Sequence, residues 1–184
     1  MSTKLQKKTI YTLYSVLVIG LGLLIGTFTF TSSPKKDVSE IFLQTFPNLE
    51  GETIALGDHR GSRFTIINFW ATWCAPCVEE MPMFSDFHSE NETKGIKVIA
   101  LAVDNKKQIL TFLKKKELNQ PILIVGPEGS DLASFLGSER NALPFTALIG
   151  PNNNLLKTKM GKISENEVKS WVFDEFKEHL KEIK

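Results

Sequence analysis

The chain predicts an α/β domain built on a mixed central sheet flanked by helices, with an N-terminal hairpin extension and one transmembrane helix ahead of it. Three observations carry this reading. Short β-type apolar runs alternate with helix-period segments across residues 40–184, a pattern of strand–helix–strand units closing on a hairpin and a last helix. The continuous apolar run Phe64–Trp70 leads straight to Cys74 and Cys77, the two cysteines of the chain. Thr9–Phe30 carries no charged residue over 22 positions, about 33 Å as a helix, which matches a bilayer core.

The elements follow in order. Lys4, Lys7 and Lys8 precede the apolar run, and Lys35 and Lys36 follow it. The run exceeds the roughly 7–15 residues of a signal-peptide core and no Ala-x-Ala follows, so it reads as an uncleaved anchor. Residues 1–8 are then cytoplasmic, 31–39 a polar linker, and the rest of the chain exported. Ile41–Phe46 and Glu52–Leu56 flank Asn48-Leu49-Glu50-Gly51 as a hairpin, and 57–62 is a turn. A strand at Phe64–Trp70 is followed by a helix over about Ala75–Thr93, which Pro82 should kink. Lys97–Val103 is a strand, Lys106–Leu118 a helix with Lys114–Lys116 as its solvated end, and Pro121–Val125 a short strand. A short helix lies near Asp131–Leu136. Phe145–Ile149 and Leu155–Met160 form a second hairpin. The closing helix, Glu165–Ile183, has Ser164 as cap and Val168, Trp171, Val172, Phe176 and Leu180 as its apolar stripe.

Charge excludes one class of partner. All 21 acidic residues and 19 of the 22 basic ones lie beyond the apolar run, so the exported part is nearly neutral and offers no basic face for nucleic acid. The chemistry is in the cysteines. Helix positions three apart place their Cβ atoms about 5–6 Å apart, whereas a disulfide wants roughly 3.5–4.5 Å. The gap closes if Cys74 sits at the helix edge with Ala75 and Pro76 opening the helix. There the free backbone N–H groups and the positive end of the helix dipole favour a thiolate, which makes Cys74 the expected nucleophile. Cys77, one turn in and shielded, is the expected resolving thiol. A structural zinc site would need four ligands, and no further cysteine exists to supply them. A purely stabilising disulfide would close too short a loop to remove much chain entropy.

Cys77, Glu80, Phe84 and Phe87 share one helical stripe, so Glu80 should be desolvated and its pKa raised to a range useful for taking a proton. Glu79 falls off that stripe and should face water.

The run Asn68-Phe69-Trp70-Ala71-Thr72-Trp73-Cys74-Ala75-Pro76-Cys77, then Glu79-Glu80-Met81-Pro82 and later Leu143-Pro144-Phe145-Thr146, resembles the thioredoxin superfamily. In particular it is similar to the membrane-anchored TlpA/ResA-like thiol–disulfide oxidoreductases. The resemblance spans about residues 40–182 and implies a thioredoxin-like fold that uses no cofactor beyond the Cys74–Cys77 pair. It implies that Pro144 is a cis-proline facing the cysteines, that Leu143 presents its backbone to a substrate strand, and that Trp73 rims the groove. It also matches Glu80 to a glutamate of the ResA-like proteins. Asn68 departs from thioredoxins proper, whose corresponding residue is an aspartate that handles protons; an amide cannot titrate. The activity implied is reduction of disulfides in exported proteins, with cytochrome c maturation or metal-centre assembly as settings and a membrane electron donor to recharge the dithiol. Two alternatives stay open: an oxidase or isomerase on the same fold, and a copper-handling module in which Met81 or Met83 joins the thiols.

Overall fold

The computed structural model describes residues 35–140 and 142–182. The expected anchor, residues 1–8 and the linker up to residue 34 lie outside the described residues, as does the side chain of Leu180. Among the described residues no helix is long and apolar enough to cross a membrane.

The central sheet has five strands: β3 (Phe64–Trp70), β4 (Ile96–Ala102), β5 (Ile122–Ile124), β6 (Phe145–Ile149) and β7 (Leu155–Met160), arranged in the order β5-β4-β3-β6-β7. β3, β4 and β5 run parallel, while β6 is antiparallel to β3, and β7 to β6. A separate antiparallel pair, β1 (Thr45–Pro47) and β2 (Thr53–Ala55), precedes the sheet. The helices are α1 (Ala75–Asn91), α2 (Lys106–Leu113), α3 (Gly129–Phe135) and α4 (Glu165–Glu182). This is the mixed α/β architecture of the thioredoxin-like proteins.

β3 is buried at every position because both of its faces are covered. Ile67 and Phe69 pack with Ile99, Leu101, Phe145 and Ala147 beneath α3 and the N-terminal extension. The alternate residues lie toward α1: Phe64 and Ile66 with Phe84, Phe87 and Val168, and Trp70 with Cys77, Met81 and Ile109. A strand covered on both sides has no polar alternation, which is why its continuous apolar run marked both of its ends.

The hairpin is shorter than its sequence suggests. Ser39–Leu43 forms a 3₁₀ turn rather than the start of a strand. Ile41 and Phe42 are neighbours in the chain and both are buried, while Leu43 is 81% exposed; an extended strand would send Ile41 and Phe42 to opposite faces.

α2 also stops five residues before Leu118. Its end tightens into bonds three residues apart, Lys115 N–H to the Phe112 carbonyl and Lys116 N–H to that of Leu113. Lys116 is not part of a solvated run. Its Nζ donates to the carbonyl of Val78 at 3.4 Å, the group left without a helical donor because Pro82, four residues on, has no N–H. At α4 a capping box forms: Ser164 Oγ accepts from Glu167 N–H at 3.4 Å, and Glu167 Oε2 accepts from Ser164 N–H at 3.0 Å.

His88, to which sequence reasoning assigns no role, is buried on α1. Its Nδ1 accepts from Val98 N–H at 3.1 Å, and its Nε2 lies 3.3 Å from Glu92 Oε2. Burial pushes its pKa below the ordinary 6.5, against the opposing pull of Glu92. The unfolded chain therefore takes this proton first, so the stability His88 contributes is complete above pH 6.5 and is lost as pH falls through the depressed value. Urea midpoints should fall as the buffer is taken from about pH 7.5 to 5.5, and less steeply in His88→Gln. His59, whose pKa burial also lowers, adds to this slope, and Glu80, whose pKa burial raises, opposes it. An unchanged slope in the variant would remove His88 from this account.

Candidate active site

The carboxyl end of β3 feeds a tight loop. Ala71 is buried, Thr72 and Trp73 turn the chain, and Cys74 caps α1 with extended dihedrals (φ −90°, ψ 98°). Cys74 N–H donates to the Ala71 carbonyl at 3.2 Å, and Val78 N–H donates to the Cys74 carbonyl at 3.1 Å. The loop is tied to the end of β4: Thr72 donates to Asp104 Oδ2 from its N–H at 3.0 Å and from its hydroxyl at 2.5 Å. Asp104 escaped sequence reasoning. Its signal was faint, an acid just past an apolar strand at the sheet edge where α/β proteins place their sites.

Cys74 and Cys77 are joined as a disulfide with Cα atoms 5.3 Å apart. The two sulfurs have unequal settings. Trp73 is 70% exposed and Ala75 and Pro76 are open to solvent, while Cys74 between them keeps 6% of its surface exposed; Cys77, on the inner face of α1, is wholly buried. The pair belongs to an apolar cluster with Trp70, Met81, Ala100, Ala102 and Ile109, against which the half-buried Leu143 packs. The Leu143–Pro144 peptide bond is cis, and Pro144 is buried where the chain enters β6. The structure thus brings Leu143 to the cluster that holds both cysteines, and Pro144 follows it directly.

Glu80 is 2% exposed, one turn beyond Cys77 on α1. Both of its carboxyl oxygens are held. Oε1 accepts from Asn68 Nδ2 at 2.8 Å, and Oε2 accepts from Ile163 N–H at 3.0 Å. Desolvation raises its pKa above the ordinary 4.5, opposed first by the Ile163 and Asn68 hydrogen bonds and then by the charges of Lys162 and Lys159. Glu79 is exposed and paired with Lys162 at 2.5 Å, which lowers its pKa. Neither Asn68 as a partner of Glu80 nor the Ile163 backbone could be read from local pattern, since the contacts span 12 and 83 residues of chain.

The two methionines weighed as metal ligands are not brought together. Met81 lies in the cysteine cluster, while Met83 packs with Phe64 and Ile66. Among the described residues, no group of three or more His, Cys, Asp or Glu side chains converges as a metal site.

A cysteine pair at the start of α1, at the carboxyl end of β3 in a mixed sheet, with a cis-proline bond beside the cluster it belongs to, defines a thioredoxin-like thiol–disulfide oxidoreductase whose redox centre is Cys74–Cys77. The chain belongs to the AhpC/TSA family, whose sequence profile matches residues 36–158. It is similar to the thiol-disulfide oxidoreductase ResA of Geobacillus thermodenitrificans, 30% identical over 138 residues that cover 74% of this chain and 72% of the relative. The sporulation thiol-disulfide oxidoreductase A of Bacillus subtilis is 28% identical over 140 residues, covering 73% of this chain and 79% of that one. In fold it matches the crystal structure of StoA from Bacillus subtilis with a TM-score of 0.56 at 24% identity, over 70% of this chain and 94% of StoA.

Proposed function

We propose that this oxidoreductase works as a reductant of disulfides in exported proteins, held at the membrane by the apolar segment 9–30 with its catalytic domain on the extracytoplasmic side. Reduced Cys74, as thiolate, attacks one sulfur of a client disulfide, forms a mixed disulfide and expels a client thiolate. Cys77 passes its thiol proton to the Glu80 carboxylate and attacks Cys74 Sγ. The Cys74–Cys77 disulfide forms, the second client thiolate leaves, and two electrons have passed to the client. Leu143 and Pro144 receive the client backbone and Trp73 rims the groove. An exported dithiol drifts toward oxidation, so a membrane electron donor must return the pair to its reduced form. Cytochrome c maturation and metal-centre assembly are settings that need such a reductant.

The observation that carries this reading is the buried Glu80, its pKa raised by desolvation, on the same helix as the shielded Cys77, one turn away. A carboxylate there can accept the proton that the inner thiol must lose. Direction is tested by the equilibrium potential of the full chain in glutathione buffers. Known proteins of this chemistry range from about −270 mV for a reductant to about −120 mV for an oxidant. A value near the reducing end is expected, and one near −120 mV would assign the chain to disulfide formation instead.

A further inference from the structure

Asn68 sits wholly buried in mid-β3, between Ala100 of β4 and Thr146 of β6, and reaches α1 through Glu80. Its side chain acts only as a donor. Nδ2 gives one hydrogen to Glu80 Oε1 at 2.8 Å and the other to Thr146 Oγ1 at 3.1 Å. Its own carbonyl oxygen is buried with no hydrogen-bond partner among the described residues. Leaving a buried acceptor unpaired is unfavourable, so something must impose this orientation. Turning the amide over would offer its oxygen to the Thr146 hydroxyl, but would also press that oxygen against Glu80 Oε1, acceptor to acceptor. It would also leave both Nδ2 hydrogens where Oδ1 now lies without a partner, so the donor orientation is held from both contacts.

Protonation of Glu80 works against this arrangement. Glu80 Oε2 already accepts from the Ile163 N–H, so the acid proton is best placed on Oε1, the oxygen that faces Asn68. A proton there would meet the Asn68 Nδ2 donor, which offers it no lone pair, so the amide favours the charged form of Glu80. The Thr146 hydroxyl accepts the second Nδ2 hydrogen and holds the amide in this orientation. The remaining charges that act on Glu80, Lys162 and Lys159, are engaged with Glu79 and Glu167.

We propose that Asn68 is the positioning residue for Glu80: its amide, held in place by the Thr146 hydroxyl, donates to the Glu80 carboxylate and favours its charged form. This rests on the reading of Glu80 as the proton acceptor for Cys77, and it explains how an amide serves a site that exchanges protons.

The test is an NMR titration of the full, disulfide-bonded chain in detergent micelles, in which the cysteines carry no titrating proton. The Asn68 side-chain amide signals should move with the same midpoint as the Glu80 carboxyl carbon, and should stay flat in Glu80→Gln. Asn68→Ala removes a donor to the charged form and should raise the Glu80 midpoint by about one pH unit. Thr146→Ser should leave the midpoint in place, and Thr146→Val should raise it by less than Asn68→Ala does. A purely structural Asn68 would change thermal stability and leave the midpoint alone. Amide signals that stay flat while Glu80 titrates would overturn the proposal, as would a midpoint shift below about 0.3 unit in Asn68→Ala. If Asn68→Ala does not fold, the Thr146 pair decides. The role of Glu80 itself is judged by Cys77 chemistry in Glu80→Gln, so either idea can fail alone.

Discussion

A Cys77→Ser chain incubated with a disulfide-bonded client accumulates a covalent adduct through Cys74, whereas Cys74→Ser traps nothing and turns over at least about 10³-fold more slowly than the native chain. The expectation follows from the unequal settings of the two sulfurs. Cys74 caps α1 between exposed neighbours and keeps 6% of its surface open, and backbone N–H groups at the helix start favour its thiolate. Cys77 lies on the inner face of α1 with no exposed surface, so it meets Cys74 and not the client. Removing the resolving thiol therefore stalls the reaction at the mixed disulfide. Non-reducing gels with mass spectrometry of the adduct give the readout. An adduct that forms through Cys77 in Cys74→Ser would reverse the assigned order.

Glu80→Gln slows resolution of a preformed mixed disulfide by about 10²–10⁴-fold near neutral pH, the usual contribution of a positioned acid or base. Its pH profile separates this from a packing effect. Burial raises the pKa of Glu80, so the carboxylate exists only above that raised value, and the native resolution rate climbs as pH passes through it. Glutamine cannot accept the proton, so this limb disappears and only the thiol's own ionisation remains. Stability follows the same linkage. With the folded pKa above the ordinary 4.5, the native state binds the proton more tightly than the unfolded chain. The stability contributed is complete below about pH 4.5 and is lost as pH rises through the folded value. Stopped-flow resolution rates and urea midpoints across about pH 5–9 test both halves. A variant that keeps the native profile would leave Glu80 without a proton role.

How much could be read in advance varies from element to element. β3 and β6 begin and end where their apolar runs do, because a strand in the sheet interior is marked by composition alone. The stripe of Cys77, Glu80, Phe84 and Phe87 is buried as a unit, because helical period alone decides which residues share a face. Period says which way a side chain points and nothing about what it meets. Asp104 bonding Thr72, Lys116 reaching Val78 and Val98 donating to His88 each join separate elements. Ile41 and Phe42 show the converse, an apolar run that looks extended until the core demands that both neighbours enter it together.

The amino-acid order alone determined that two thiols three positions apart would lie at a strand-to-helix junction, and that a glutamate would share their buried face, because spacing and period act through the local backbone. Where that glutamate's proton can go was decided only when β3, α1, β6 and the start of α4 came together. Asn68, itself tied to Thr146, and the Ile163 N–H then hold one carboxyl group from two sides in a water-poor interior, where each hydrogen bond bears on its charge far more strongly than it would in solvent.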